Sequence, residues 1–166
     1  MGHIKEPGKV KLIMGVIACC AGTAEEAEGL LVKKFGSIDA RSAVIPFDLT
    51  GYYEEEMGKD LLRAWISFEK LVDPQELAGI KTETNKIEEG FSAGGNRRVN
   101  LDPGYIDGGK LVLASTNRMF RGQEEICLQF LTVLRYDFNF NVRLSVKKLD
   151  LLFAYDLVQL ANIIWI

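Results

Sequence analysis

Leu61–Ile80 reads LLRAWISFEKLVDPQELAGI, and this stretch decides the fold. In its first half Leu62, Ala64, Ile66 and Phe68 alternate with Arg63, Trp65 and Ser67. A period of two puts one set on one face, so Leu61–Glu69 is predicted to be a strand. Trp65 lies off the apolar face, where covering a second layer outweighs stacking a base. The second half changes period. Asp73 suits a helix N-cap, Pro74 the first helical position and Glu76 the capping-box position. Leu77, Ile80, Thr84, Ile87 and Phe91 then recur on one helical face. Ala93-Gly94-Gly95 is predicted to end this helix.

Upstream, Lys9–Ala18 (KVKLIMGVIA) is short, apolar and bounded by Pro7-Gly8 and Gly22, which predicts a buried strand. Thr23 with Glu26 fits a capping box and opens a helix. Ala27, Leu30, Leu31 and Phe35 share one face of it. Lys33 and Lys34 suit the last turn, where the helix dipole favours cations, and Gly36 suits the stop. Ser42–Leu49 (SAVIPFDL) is predicted to be a strand, with Pro46 placing it at an edge or bulge. Thr50–Lys59 reads as a polar loop.

Downstream, Asp102-Pro103-Gly104 and Asp107-Gly108-Gly109 read as turns. Lys110–Ser115 and Glu125–Arg135 read as strands. Phe138, Phe140, Val142, Leu144 and Val146 alternate with polar residues, the pattern of a one-faced strand. Leu149–Ile166 is very apolar but is broken by Asp150, Asp156, Gln159 and Asn162. Charges in mid-span are costly in lipid, which favours a buried element, a helix, over a membrane span.

The predicted order is strand, helix, strand, strand, helix, strand, then further strands. This is an α+β pattern with a ferredoxin-like βαββαβ core: an antiparallel sheet with two helices on one face, extra C-terminal strands and an apolar C-terminal segment. A doubly wound sheet would need a crossover helix between most strands, yet only a loop separates the second from the third. With 166 residues, the chain reads as a single domain over 1–166. Its 48% apolar and 26% charged residues exclude disorder. A net charge of -3 gives no global attraction to nucleic acid or an anionic membrane and leaves room for a local basic patch. Cys19, Cys20 and Cys127 form no CxxC, and His3 is the one histidine, which argues against zinc and a disulfide framework. They read as reduced thiols of a cytoplasmic protein. Cys19 and Cys20 end the first strand and are expected to be buried and inert.

The segments MGHIKEPGKVKL, PFDLTGYYEEEMG, ISFEKLVDPQELAGIKTETNKIEE, RRVNLDPGYI and KLVLAST follow one another along the chain. Together they resemble the bacterial family called domain of unknown function 4416, over about Met1–Thr116. The resemblance implies a stand-alone cytoplasmic protein of about this length and implies no particular activity. Some family members carry a GTP-binding label, which no residue here justifies. After Thr116 the chain departs from the family pattern: Arg121 stands where the family has an arginine, but without its histidine neighbour.

Three groups of residues carry candidate chemistry. Arg97, Arg98, Asn100, Asp102 and Tyr105 surround a predicted turn, where two arginines suit a phosphate or carboxylate. Lys110, Ser115, Thr116, Asn117, Arg118 and Arg121 extend that basic set. Asp48, Glu54 and Glu55, beside Tyr52, Tyr53 and Glu56, form an acidic loop suited to a hard cation such as magnesium. Neither GxxxxGK[ST] nor GxGxxG occurs, which disfavours Walker-type nucleotide binding and leaves the cofactor unknown. Three functions follow as expectations. The first is a non-enzymatic module that grips an anionic metabolite, nucleotide or RNA through the basic cluster. The second is a metal-dependent hydrolase or transferase using the carboxylates. The third is a homo-oligomeric assembly protein joined through sheet edges.

Overall fold

The computed structural model describes residues 8–48, 51–107, 111–116, 126–129, 134–136 and 142–144. In chain order the elements are β1 (Val10–Ala18), α1 (Ala21–Phe35), β2 (Ile38–Arg41), β3 (Ile45–Pro46), α2 (Glu54–Met57), β4 (Leu62–Val72), α3 (Leu77–Gly90), β5 (Val99–Ile106), β6 (Leu111–Thr116), β7 (Ile126–Gln129), β8 (Leu134–Tyr136) and β9 (Val142–Leu144). The class is α+β. Six strands form one antiparallel path, β2-β4-β1-β5-β6-β7, and β3 also pairs with β4. β8 and β9 form a separate antiparallel pair.

β1 lies between β4 and β5, with Gly15 opposite both Trp65 and Asp102. Helix α1 joins β1 to β2, and β4 lies between those two strands. Helix α3 joins β4 to β5, and β1 lies between them. Both helices bury against one face. Ala27 and Leu31 of α1 and Ile80 of α3 meet Leu12, Met14, Val16, Ile66, Phe68, Val99 and Leu101. Full burial of each larger aliphatic or aromatic side chain stabilises by roughly 1.5–3 kcal/mol, so this layer dominates the fold.

The opposite face is covered too. Ile17, Phe47, Met57 and Leu61 form a second cluster, and Tyr53 packs against it. Short helix α2, in the segment predicted to be a loop, turns Met57 inward. Trp65 is 1% exposed and lies over Gly15. It covers a second layer, as its place in the alternation predicts.

Several boundaries differ from the sequence reading, each for a local reason. Helix α1 is capped at Cys20, three residues before Thr23, and Thr23 turns inward. Of the strand predicted over Ser42–Leu49 only Ile45–Pro46 (β3) is paired, and β2 lies before it at Ile38–Arg41. Ser42 Oγ accepts the Trp65 N–H at 2.9 Å, so a side chain replaces a ladder partner there. Helix α3 ends at Gly90, and Ala93–Asn96 form a tight hairpin instead of its last turn. Asp102-Pro103-Gly104 is no turn: all three lie inside β5. Leu101 directs its N–H and C=O away from β1, toward α3. Pro103, two residues on, therefore has its missing N–H on that same outer side and takes no bond from the β1 ladder. Gly104 is needed because a Cβ would come within 2.5 Å of the Val112 carbonyl oxygen. Glu125–Arg135, read as one strand, contains β7 and part of β8 as separate strands. Leu149–Ile166 lies outside the described residues. Among the described residues no helix is long and apolar enough to cross a membrane.

Candidate functional site

The hairpin at Ala93–Asn96 delivers Arg97 and Arg98 to the start of β5. Successive residues of an extended chain point to opposite sides, and the two arginines take different partners.

Arg97 turns into a closed polar network. Its guanidinium forks onto Glu56, with Nε donating to Oε1 at 2.5 Å and Nη2 to Oε2 at 2.7 Å. Nη1 donates to Glu88 Oε2 at 2.8 Å and to Asn100 Oδ1 at 3.0 Å. Asn100 Nδ2 donates to Asp102 Oδ2 at 2.8 Å. Lys81 Nζ lies 3.4 Å from Glu88 Oε1 and 3.5 Å from Asp102 Oδ1. The Arg97 hydrogen bonds hold the Glu56 carboxyl below its ordinary range, against a smaller opposing effect of burial. Burial, and next the Asp102 charge, push the Tyr53 phenol far up. Three carboxylates here face two cations. A further anion would meet net negative charge, so this network locks α2, α3 and β5 together rather than offering Arg97 to a ligand.

Arg98 sits at the other end of the same short segment. The β1–β5 pairing continues for one more bond, from the Cys19 N–H to the Arg98 carbonyl at 3.0 Å. This places the Arg98 side chain beside the N-terminus of α1, where Nη2 donates to Thr23 Oγ1 at 3.1 Å. Sγ of Cys20 lies 3.3 Å, and Sγ of Cys19 3.5 Å, from the same oxygen. Cys20 is exposed and Cys19 half-buried, so the pair is not the buried one expected from its position at a strand end. The strand stops at Ala18, and Cys20 becomes the N-cap of a helix with no acidic residue in its first turn. Among the described residues Arg98 forms an ion pair with no carboxylate. An exposed guanidinium next to a helix N-terminus is a place of positive potential.

The other candidate residues are dispersed. Asp48, Glu54 and Glu55 are exposed, and α2 turns Glu56 instead toward Arg97. Among the described residues no three His, Cys, Asp or Glu side chains converge as metal ligands. Tyr105 is buried with Val10, Leu77, Val112 and Ala114. It therefore lies on the face of β5 opposite Asn100 and Asp102. Lys110, Asn117, Arg118 and Arg121 lie outside the described residues. Glu56, Lys81 and Glu88 were missed as a set. The available signal was in α3, where Lys81 and Glu88 follow the apolar Ile80 and Ile87 and share their buried stripe.

Residues 8–121 match the model of a family described as Domain of unknown function (DUF4416). The chain belongs to this family. The DUF4416 match spans β1 to β6, and so includes the Arg97 network and the Arg98 corner. No curated protein and no solved structure matches the chain.

Proposed function

We propose that this DUF4416 protein is a non-enzymatic module that binds an anionic ligand, a metabolite, nucleotide or RNA, with Arg98 as the principal cation. One observation carries the reading: Arg98 is exposed at the N-terminus of α1 and bonds a neutral hydroxyl, whereas Arg97 is committed to Glu56 and Glu88. The first-turn N–H groups of α1 add donors at the same place. Arg97 then acts at one remove, by fixing the segment that carries Arg98. Asn100 and Asp102 belong with Arg97, and Lys110 and Arg121 lie outside the described residues.

The strand order β5-β1-β4-β2, with α1 and α3 on one face, supports reading this part as a ferredoxin-like core. Free thiols at Cys19 and Cys20 favour a cytoplasmic location.

Thermal stability against inorganic phosphate, nucleotides and short RNAs tests the binding role. A ligand at about 100 times its Kd stabilises by roughly 2.7 kcal/mol. Arg98→Ala is expected to remove that stabilisation, while Arg97→Ala lowers stability and only reduces the ligand-induced increment. An unchanged increment in Arg98→Ala would refute the assignment.

A further inference from the structure

The two sulfurs at the end of β1 form an arrangement that anion binding does not use. Thr23 is 4% exposed, and its single hydroxyl meets three groups: both sulfurs and Arg98. Arg98 can only donate, so it occupies an acceptor site of that oxygen. The hydroxyl keeps one proton, which it can donate to one of the two sulfurs, and one lone pair, which can accept from the other. A sulfur that receives a hydrogen bond beside a guanidinium is stabilised as thiolate. Cys20 is the exposed member of the pair, so an external reagent reaches it first. Its pKa is lowered to about 7, first by the Thr23 hydroxyl and next by the Thr23 backbone N–H; the Arg98 charge is a smaller contribution.

Cys19 is poorly placed to close a disulfide on its neighbour. Consecutive Cα atoms are about 3.8 Å apart across a trans peptide, below the roughly 4.4–6.8 Å that disulfides span. The Cys19 N–H is also held in the β1–β5 ladder. Oxidation is therefore directed outward, to a second molecule.

We propose that Cys20 is an S-thiolation site for low-molecular-weight disulfides that carry carboxylates. The Cys20 thiolate attacks one sulfur of the reagent and forms a new S–S bond. The reagent's own S–S bond breaks, and its other half leaves as a thiolate that takes a proton from water. The disulfide is the oxidant and is itself half reduced, so no further reactant is required. Arg98 selects for the carboxylate, and only this selectivity rests on the anion-binding reading. The reactivity of Cys20 rests first on Thr23, with smaller contributions from Cys19 and Arg98, and needs no bound anion.

The test uses the full chain, with oxidised glutathione as the anionic probe, cystamine as the cationic probe and neutral iodoacetamide as the reference. Peptide mass spectrometry locates the adduct, and reagent-quench kinetics give the rate. The adduct is expected on Cys20, absent in Cys20→Ser and retained in Cys19→Ser and Cys127→Ser. Iodoacetamide labelling should rise with a midpoint near pH 7, against an ordinary value of 9.0. At pH 7 a group titrating near 7 is about half thiolate, roughly sixteen times more than an unstructured cysteine of pKa about 8.5, and lower intrinsic nucleophilicity takes back about fivefold. A rate about threefold above that of an unstructured cysteine peptide is therefore expected. Oxidised glutathione should outpace cystamine, and Arg98→Ala should narrow that preference when each disulfide rate is divided by the same variant's iodoacetamide rate, which itself falls modestly with the Arg98 charge. A midpoint near 9, or labelling confined to Cys19 or Cys127, would overturn the site. Normal iodoacetamide kinetics with no preference between the disulfides would overturn the selectivity and, with it, the role of Arg98 as an anion grip.

Discussion

The ammonium of Lys81 lies 2.7 Å from the carbonyl oxygen of Leu101. Seven residues further along α3, Glu88 Oε1 accepts the N–H of that same Leu101 at 2.9 Å. β6 pairs with β5 at Gly104–Ile106, so among the described residues no strand lies against this edge at Leu101. Two side chains from a helix do what a neighbouring strand would have done. A buried backbone N–H or C=O without a partner is costly, which explains why two charged residues occupy the buried stripe of α3.

Removal of either side chain should therefore destabilise the fold, but unequally. Glu88→Ala strands the Leu101 N–H and deprives both Lys81 and Arg97 of a partner. Loss of one member of a buried ion pair costs about 3–5 kcal/mol. Lys81→Met strands the Leu101 carbonyl and removes a cation 3.4 Å from Glu88 and 3.5 Å from Asp102, but Glu88 still pairs with Arg97 and still accepts the Leu101 N–H, so a smaller loss of about 1–3 kcal/mol is expected. Urea unfolding should show a lower midpoint at unchanged slope in both variants. A loss below about 1 kcal/mol for Glu88→Ala would mean that water or Arg97 alone satisfies the edge.

The Glu56–Arg97 pair makes a prediction in pH. Arg97 hydrogen bonds lower the Glu56 pKa in the folded chain, against the ordinary value of 4.5. A group with a depressed folded pKa adds stability above its unfolded pKa, and this is lost as pH falls through the folded value. Stability should thus fall on acidification below about 4.5, and Glu56→Gln should flatten part of that decline. Unfolding free energies measured in a pH series for both proteins test this. Parallel curves would place the acid sensitivity elsewhere.

The legible parts of the fold were those where local chemistry and tertiary need agree. Asp73-Pro74-Gln75-Glu76 reads as a helix start because its signals act within four residues, and the Asp73 N–H does bond Glu76 Oε2 at 2.9 Å. Pro103-Gly104 reads as a turn by the same local logic, but tertiary contacts decide otherwise. The outer edge of β5 needs no N–H at Pro103, and the approach of β6 excludes a Cβ at Gly104. Thr23 suits a cap in sequence, yet Arg98, seventy-five positions away, takes its hydroxyl. Arg97 and Arg98 form one basic dipeptide in sequence, and no local rule assigns one to Glu56 and the other to Thr23. Cys20 illustrates the same limit: its exposure depends on where α1 starts relative to β5, which adjacent residues do not specify.

Gly15 and Trp65 face each other across β1 and β4, and their fit should be measurable as a coupling. A methyl at position 15 would lie 3.0 Å from Cη2 and Cζ3 of the indole. The ring has little freedom to move: it is 1% exposed, and the Arg63 guanidinium lies 5.2 Å from its centroid on one side while also meeting Phe47. Overpacking of this kind costs about 1–3 kcal/mol, so Gly15→Ala should destabilise by that amount. Trp65→Phe removes the far edge of the indole and should open a cavity at the same point, with its own loss. In the Trp65→Phe background the methyl of Gly15→Ala fills space instead of clashing. The double variant should then be more stable than the sum of the single losses by about 1 kcal/mol or more, well outside the roughly 0.3–0.5 kcal/mol scatter of independent sites. Additive losses in urea unfolding would show that the sheet relaxes around the methyl, and that glycine at position 15 is not fixed by the indole.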